Sequence, residues 1–297
     1  MSSFRNAIAV IPAYRAADTL ARVVENALRV VDSVIVVDDA CPENCGETLD
    51  FYRSTGRVEV IRRAANGGVG AATKTGIAEA LRRGADVIVK IDADGQMDTR
   101  YVPHMIALLR KQPGVDLVKG NRFMDPSTVS TMPRARLVGN ACLTFMVKFC
   151  SGYWALVDPT NGFLALRAAA IRGLDLDVLA DRYFFEIDLL CALGLRRRAI
   201  AEMEMPPIYG TGKSSLSVGQ VLMTFPAHLI VRFLRRIAVN YLLVEINFGS
   251  ICALAGIPLL IAGTVFGLYQ WNLSYVSGQP RPTGTVILAL LLLLAAA

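Results

Sequence analysis

The chain has 297 residues, of which 54% are hydrophobic, and its mean hydropathy of +0.44 is high for a soluble protein. Its formal net charge of +6 favours anionic lipid or phosphate ligands, and because no nucleic-acid-binding motif accompanies this charge, we predict no nucleic-acid partner. The six cysteines are scattered without the paired spacing of a zinc site, so we interpret them as structural thiols.

The first half of the chain alternates short apolar runs with helical patterns, which is typical of βαβ units in a mainly parallel sheet. The predicted strands cover residues 7–11, 33–37, 57–61, 85–91 and 116–119. The predicted helices cover residues 19–30, 70–83 and 101–111. The fold class predicted for this region is therefore α/β.

The part of the chain from residue 137 to residue 244 is less regular. We predict helices over residues 137–149 and 181–193, and strands over residues 162–166 and 199–205. Residues 218–244 are apolar with clustered arginines, a composition typical of helices that lie in a membrane interface.

The C-terminal region has the composition of a membrane anchor. Phe248 to Tyr269 carries no charge and reaches the roughly 20 apolar residues that a bilayer span needs. Residues 283–297 are also apolar but too few, so we expect a second span that continues beyond them. Arginines before the first span place the large N-terminal domain in the cytoplasm of a multi-pass inner-membrane protein, and no cleavable signal is visible.

These patterns divide the chain into three predicted regions. Residues 1–217 form a cytoplasmic catalytic domain, residues 218–245 form amphipathic interfacial helices, and residues 246–297 form the transmembrane region.

Two carboxylates, Asp92 and Asp94, directly follow the apolar strand at residues 85–91. In open α/β sheets, ligands bind at the carboxyl ends of the strands. Two carboxylates so close together repel each other unless a cation lies between them, and Mg²⁺ or Mn²⁺ prefers such oxygen ligands together with substrate phosphates. This turn therefore predicts a metal-bound nucleotide.

Three further features are predicted to lie at the same edge of the sheet. Pro12 forces an extended turn after the first strand and Tyr14 offers a stacking face, while Asp39 could accept hydrogen bonds from a base or ribose. The glycine run at residues 66–70 opens a helix, where backbone N–H groups can approach a ligand. It lacks the spacing of a dinucleotide fingerprint or a Walker A loop.

As a set, these motifs resemble those of family 2 glycosyltransferases with a GT-A fold, in the branch similar to dolichyl-phosphate mannose synthase and bacterial polyprenyl-phosphate glycosyltransferases. The resemblance spans about residues 7 to 215. The matching stretches are residues 11–14, 37–39, 66–70, 92–96, 120–122 and 158–163.

The resemblance implies a hexosyltransferase that uses a UDP- or GDP-linked sugar donor and inverts C1. It implies a divalent metal, Mg²⁺ or Mn²⁺, on Asp94, Gln96 and Asp92, with Asp94 essential for catalysis. It places Asp158 and Asn161 near the donor sugar. The implied nucleotide-binding residues are Pro12, Ala13, Tyr14, Asp39, Gly68, Asp92 and Ala93.

The sequence leaves two acceptors open. An undecaprenyl or dolichyl phosphate is already an anion and needs cations rather than a base, and the resemblance offers Arg122, Arg136 and Lys213 as phosphate-binding residues. A sugar hydroxyl needs a carboxylate base, for which Glu186 and Asp188 are the candidates. The identity of the sugar and a homo-oligomeric state also stay open, and the intact acidic turn disfavours a non-catalytic scaffold.

Overall fold

A computed structural model describes residues 4–124, 134–206, 218–244, 246 and 248–296. The chain divides into two compact units, Met1–Phe233 and Leu234–Ala297.

The first unit is built on one seven-stranded sheet. Its strands are β1 (Ala7–Ala13), β2 (Ser33–Asp38), β3 (Val58–Arg62), β4 (Val87–Lys90), β5 (Val115–Asn121), β6 (Leu164–Arg167) and β7 (Ala199–Glu204). Their spatial order is β3-β2-β1-β4-β6-β5-β7, and β6 runs antiparallel to both of its neighbours while the other pairs are parallel. All residues of β1 and β4 are buried, as expected for central strands that are covered on both faces.

Helices and short helical turns connect the strands and continue to the end of the described chain. The α-helices are α1 (Ala17–Leu28), α2 (Asp50–Arg53), α3 (Val69–Arg82), α4 (Val102–Lys111), α5 (Arg134–Ser151), α6 (Ala168–Ile171), α7 (Phe185–Leu195), α8 (Val218–Ile237), α9 (Phe248–Ser277) and α10 (Thr283–Ala296). The 3₁₀ turns span Cys45–Leu49 and Thr99–Tyr101, and a π-helical segment spans Ala238–Leu243.

Two hydrophobic clusters pack on the two faces of the sheet, because successive side chains of a strand point to opposite faces. Ile8 and Val10 of β1 belong to the cluster that includes residues of α3, α7 and α8. Ala9 and Ile11 belong to the cluster that includes residues of α1 and α4. The sheet is therefore sandwiched between helices.

The reversed direction of β6 brings a later part of the chain to the carboxyl edge of the sheet. Leu164, the first residue of β6, is level with Lys90 at the end of β4 and with Lys119 near the end of β5. The loop that precedes β6 therefore lies beside the residues that follow β4.

The α/β fold class with a mainly parallel sheet, predicted from the alternating pattern, is confirmed. The antiparallel direction of β6 is not evident in the sequence, because an apolar run has the same appearance in either direction. The helix predicted to begin at Asp181 begins at Phe185, because the backbone at Asp181 instead accepts a hydrogen bond from the Ala71 N–H at the start of α3.

Helix α8 begins in the first unit, where Phe225 and Leu229 are buried in the core. These two residues lie inside the segment 218–245 that the sequence predicts to be interfacial, and the three-region division stays a prediction.

The second unit contains a helical hairpin. Helix α9 is the one helix in the described chain that is long and apolar enough to cross a membrane, and only 11% of its most apolar window is buried. A core helix of a soluble protein would be mostly buried. Helix α10 has 14 residues and packs against α9 where Gly263 approaches Leu292 and Leu293.

Candidate active site

The acidic turn after β4 combines a supported backbone with an exposed carboxylate. Thr19 in α1 donates a hydrogen bond from Oγ1 to the carbonyl of Ala93 at 2.6 Å, and the Gln96 N–H donates to Asp94 Oδ1 at 2.9 Å. Gly95 adopts a φ of 73°, which favours glycine and reverses the chain. Asp94 is exposed, and Asp92 has 31% of its side chain exposed.

The electrostatics of this turn fit a divalent cation. Partial burial and the neighbouring charge of Asp92 raise the pKa of Asp94, so a cation at the turn would stabilise its ionised form. Gln96 is half-buried on the same turn and offers a further oxygen. One or two carboxylates, completed by phosphate oxygens of a substrate, suit Mg²⁺ or Mn²⁺.

Behind the turn, Lys90 bridges two acids that are far apart in sequence. The Lys90 Nζ lies 2.6 Å from Asp92 Oδ1 and 2.9 Å from Glu186 Oε1, and the lysine is buried. Burial alone would lower the pKa of Lys90, but Asp92 and Glu186 raise it. Lys90 is thus a cation that fixes Asp92 from inside the protein.

Gly162 closes over this bridge. A Cβ atom at Gly162 would lie 2.6 Å from Lys90 Nζ and 2.9 Å from Asp92 Oδ2, closer than non-bonded atoms approach. A side chain at position 162 would therefore have to displace the ends of Lys90 and Asp92. Lys90 was not among the predicted site residues, although a lysine inside the apolar run Val87 to Ile91 is a visible signal.

Arg122 and Asp158 form an ion pair at the edge of the site. The guanidinium forms two parallel hydrogen bonds, Nε to Oδ2 at 2.8 Å and Nη2 to Oδ1 at 2.9 Å. Burial opposes ionisation of Asp158, but Arg122 outweighs it and lowers the pKa of the carboxyl. In this structure the two predicted residues bind each other, and their roles as the phosphate-binding residue Arg122 and the sugar-binding residue Asp158 stay predictions.

A second buried lysine supports the loop before β6. Lys119 donates a hydrogen bond from Nζ to the carbonyl of Asn161, and burial lowers the pKa of Lys119 to about 8. The Asn161 side chain accepts the Phe163 N–H at 3.0 Å. Glu202 of β7 accepts the N–H groups of Val157 and Asp158, each at 2.9 Å. Asn161, predicted to bind the sugar, is therefore a buried part of the loop framework.

Neither predicted catalytic base is open to solvent. Asp188 has 2% of its side chain exposed and accepts two hydrogen bonds from Arg232 of α8, at 2.5 and 2.7 Å. The Ala180 N–H also donates to it at 2.9 Å. Glu186 is buried and forms an ion pair with Lys90. Both candidate bases are therefore buried and ion-paired, and the general-base role of Asp188 or Glu186 stays a prediction.

Asp39 organises the glycine loop. Its buried carboxylate accepts the N–H groups of Gly67 at 3.1 Å and Gly68 at 2.7 Å, and it pairs with Arg63. Gly68 has a φ of 97°, and a Cβ there would lie 2.9 Å from the Asp181 carbonyl. Asp39 and the N–H groups of Gly67 and Gly68 thus bind one another, and the nucleotide-binding roles of Asp39 and Gly68 stay predictions.

The remaining predicted nucleotide-binding residues lie at the end of β1 and beside the acidic turn. Pro12 and Ala13 are buried in β1, and Ala93 is buried in the turn. Tyr14 has 43% of its surface exposed, with the Arg15 guanidinium 5.5 Å from its ring centroid. The Arg136 side chain and the whole of Lys213 lie outside the described residues.

Comparisons with known proteins identify the family. The model of the family described as "Glycosyl transferase family 2" matches residues 8–174, which contain β1 to β6 and the acidic turn. An undecaprenyl-phosphate mannosyltransferase of Micrococcus luteus is 28% identical, over 72% of this chain and 88% of the relative. A UDP-N-acetylglucosamine–dolichyl-phosphate N-acetylglucosaminyltransferase of Methanococcus voltae is 29% identical, over 67% of this chain and 84% of the relative.

Among solved structures, a glucosyl-3-phosphoglycerate synthase of Mycobacterium tuberculosis, crystallised with Mn²⁺ and UDP-glucose, superposes with a TM-score of 0.56. It is 21% identical and aligns over 79% of this chain and 80% of that protein. At this identity the likeness establishes the fold alone, which is of the GT-A type. The chain belongs to glycosyl transferase family 2 and is a glycosyltransferase.

Proposed function

We propose that this glycosyltransferase moves a sugar from a nucleotide-sugar donor to a polyprenyl phosphate at the membrane, with inversion at C1. The observation that carries the choice of acceptor is the pairing of both candidate bases, Glu186 with Lys90 and Asp188 with Arg232. A hydroxyl acceptor must give its proton to a base, whereas a phosphate acceptor is already an anion and needs none. Among the described residues both candidate bases are ion-paired, which favours the phosphate.

The relatives support the same acceptor class. The names of the Micrococcus luteus and Methanococcus voltae proteins give different sugars, mannose and N-acetylglucosamine, but both name a polyprenyl phosphate as acceptor. We carry the shared acceptor class over to this chain and leave the sugar open.

In this proposal the acidic turn binds the donor diphosphate. When bound there, a divalent ion held by Asp94, Gln96 and Asp92 supplies charge neutralisation for the departing diphosphate. Lys90 holds Asp92 in place through its 2.6 Å contact, which limits reorganisation of the turn on binding. Tyr14 presents its exposed ring to the nucleotide base.

The rest of the charged framework positions these groups. Arg122 holds Asp158, and Lys119 holds the backbone at Asn161, so the loop before β6 forms a fixed wall for the donor sugar. The acceptor oxygen then attacks C1 from the face opposite the leaving diphosphate. Arg136 and Lys213 stay as predicted contacts of the acceptor phosphate.

The proposal places the second unit in the membrane. The exposed side chains of α9 are apolar over a length sufficient for a span, and lipid would cover them. Arginines that precede the span, with Arg281 alone in the following loop, put the catalytic unit on the cytoplasmic side.

A donor and acceptor panel tests the function. The full chain in lipid nanodiscs receives UDP- and GDP-linked mannose, glucose and N-acetylglucosamine, and release of nucleoside diphosphate is measured with Mg²⁺, with Mn²⁺ or with a chelator. Undecaprenyl phosphate serves as acceptor, and undecaprenol, which lacks only the phosphate, is the matched control. We expect turnover with one of these donors, only in the presence of Mg²⁺ or Mn²⁺, and only when undecaprenyl phosphate is the acceptor.

Two outcomes would contradict parts of the proposal. Equal turnover on undecaprenol would establish a hydroxyl acceptor. Full turnover in the presence of the chelator would exclude the metal at Asp94.

A further inference from the structure

Cys41 and Cys45 form a dithiol pair in the loop that follows β2, apart from the acidic turn. Both are fully buried, and their Sγ atoms lie 2.7 Å apart. With Glu43 they form the one group of three potential metal ligands within 4.8 Å among the described residues. The pair could therefore serve either as part of a metal site or as a disulfide site.

The sulfur separation distinguishes these uses. Two thiolates on a tetrahedral zinc ion, each at about 2.3 Å, are about 3.8 Å apart, whereas the sulfurs of a disulfide are about 2.05 Å apart. From 2.7 Å the sulfurs would separate by about 1.1 Å to bind zinc but approach by only about 0.7 Å to bond. The geometry favours the disulfide.

We propose that Cys41 and Cys45 form a reversible disulfide bond when low-molecular-weight disulfides oxidise them. Formation of this bond loosens the loop at Tyr14–Ala16.

The two thiols differ in the way that a two-step exchange requires. Burial opposes ionisation of Cys41, but hydrogen bonds from the Cys45 thiol and the Arg15 N–H outweigh it and lower the pKa of Cys41. Burial and the adjacent Cys41 raise the pKa of Cys45 to about 11. Cys41 is thus the attacking thiolate and Cys45 the resolving thiol.

The exchange balances without any further reagent. The Cys41 thiolate attacks one sulfur of the reagent RS–SR, the reagent bond breaks, and RS⁻ leaves with its electron pair. Cys45 loses its proton to solvent and attacks the Cys41 sulfur of the mixed disulfide, which expels the second RS⁻. The protein loses two protons and two electrons, which together are two hydrogen atoms, and the reagent becomes two thiols.

The sulfurs also hold the neighbouring loop. Cys41 Sγ accepts the Arg15 N–H at 3.1 Å, and Cys45 Sγ accepts the Ala16 N–H at 3.4 Å. Arg15, Ala40 and Asn44 all have a positive φ, between 49° and 53°, so the two loops that meet at the sulfurs both hold a rare backbone conformation. Forming the S–S bond draws the two sulfurs together and removes any thiolate at Cys41, so the N–H···S bonds to Arg15 and Ala16 weaken.

Burial of the pair determines the rate of oxidation rather than its extent. Pro42 and Glu43, which lie between the two cysteines, are exposed, so opening of this short turn gives a small reagent access to the sulfurs. Oxidation is therefore expected over hours rather than seconds, and equilibrium is reached only in long incubations.

Peptide mass spectrometry tests the disulfide directly. The full chain carries Cys142→Ser and Cys252→Ser to remove the two exposed thiols and is equilibrated in glutathione buffers of increasing oxidised fraction. Trypsin releases Val30–Arg53, which contains Cys41 and Cys45 and no other cysteine. We expect a peptide lighter by two hydrogen atoms that resists alkylation and returns to the dithiol with a reductant. Cys41→Ser and Cys45→Ser should each abolish it.

Amide hydrogen exchange tests the coupling on the same samples. Loss of the N–H···S bonds should raise exchange at Arg15 and Ala16 roughly fivefold in the oxidised protein, the equivalent of one weak hydrogen bond. Exchange at Asp32, whose N–H bonds the Ala7 carbonyl, is the internal control and should not change.

Three outcomes would overturn the proposal. One is a dithiol that persists in fully oxidised glutathione after long incubation. Another is a disulfide that leaves exchange at Arg15 and Ala16 unchanged. The third is protection of both thiols from alkylation by stoichiometric Zn²⁺, reversed by a chelator, which would establish a metal site instead.

A measurement of nucleotide affinity in the two redox forms extends the test and rests on the proposed function. Because Tyr14 lies in the loosened loop, oxidation should weaken UDP or GDP binding in the presence of Mn²⁺ by roughly fivefold. If neither redox form binds either nucleotide, the proposed function fails while the mass and exchange measurements still decide the disulfide site.

Discussion

At the acidic turn, Asp94 faces solvent, whereas the acids behind it each bind a cation of the protein: Glu186 binds Lys90, Asp158 binds Arg122, and Asp188 binds Arg232. Exposure to solvent therefore distinguishes a carboxylate that can bind a ligand from the ion-paired carboxylates that stabilise the fold. An exposed carboxylate beside a second one gains stability from an added cation. A paired, buried carboxylate is already neutralised and instead fixes the chain around it.

Replacing Asp94 by Ala gives the largest expected effect. Removing the exposed carboxylate removes a ligand of the predicted metal, and we expect transfer to fall at least about a thousandfold, the equivalent of several kcal/mol of transition-state stabilisation. Initial rates at saturating metal and an unfolding curve measure activity and stability separately. Asp177→Ala, which also removes an exposed acid, is the control and should keep full activity. Normal transfer by the Asp94 variant would refute the assignment.

Breaking a framework pair should reduce stability rather than chemistry. Arg232→Met leaves Asp188 buried without its cation, which we expect to lower the free energy of unfolding by about 3 kcal/mol in denaturant titrations. The double variant Asp188→Leu/Arg232→Met should recover most of this loss, because no charge stays unpaired. Turnover per folded molecule should stay within a few-fold of the parent in the double variant, and a complete loss there would restore Asp188 as the base.

Lys119 should make the free energy of unfolding depend on pH. Its pKa of about 8 in the fold lies below its ordinary value near 10.4, so between these values the unfolded chain binds more protons and stability rises with pH. Below about pH 8 Lys119 is protonated in the fold, and the desolvation of its buried charge then destabilises the folded state fully. Relative to Lys119→Met, the parent should therefore gain about 2 kcal/mol from pH 8 to pH 10. A pH-independent difference between the two proteins would mean that Lys119 does not titrate in this range.

Tyr14 should give the smallest effect. Replacing it by Ala removes an exposed stacking face, and we expect nucleotide affinity to fall about fivefold, since base stacking on an aromatic ring contributes about 1 kcal/mol or more. Tyr14→Phe keeps the ring and should bind like the parent. Calorimetric titration with UDP and GDP measures both variants, and an unchanged affinity of the Ala variant would remove Tyr14 from the site.

The sequence predicted the positions of the strands and the exposed acids, because both depend on neighbouring residues. The apolar run before Asp92 and the polar turn after it are local signals of a strand end. The pairs are not local: Asp188 and Arg232 lie 44 residues apart and meet only when α7 and α8 pack together. From sequence alone, Asp188 had the same appearance as a free base, and no motif indicates which acids the fold neutralises.

The reversed strand β6 has a consequence for how such enzymes diversify. Its entry loop reaches the catalytic edge from outside the β-α-β series, so the loop can change length without altering the hydrogen-bond ladders of β1 to β4. Under the proposed function we expect sugar preference to vary with residues 152–156, because residues 157–161 are anchored by Glu202, Arg122 and Lys119, and a chimera that exchanges the shorter stretch tests this.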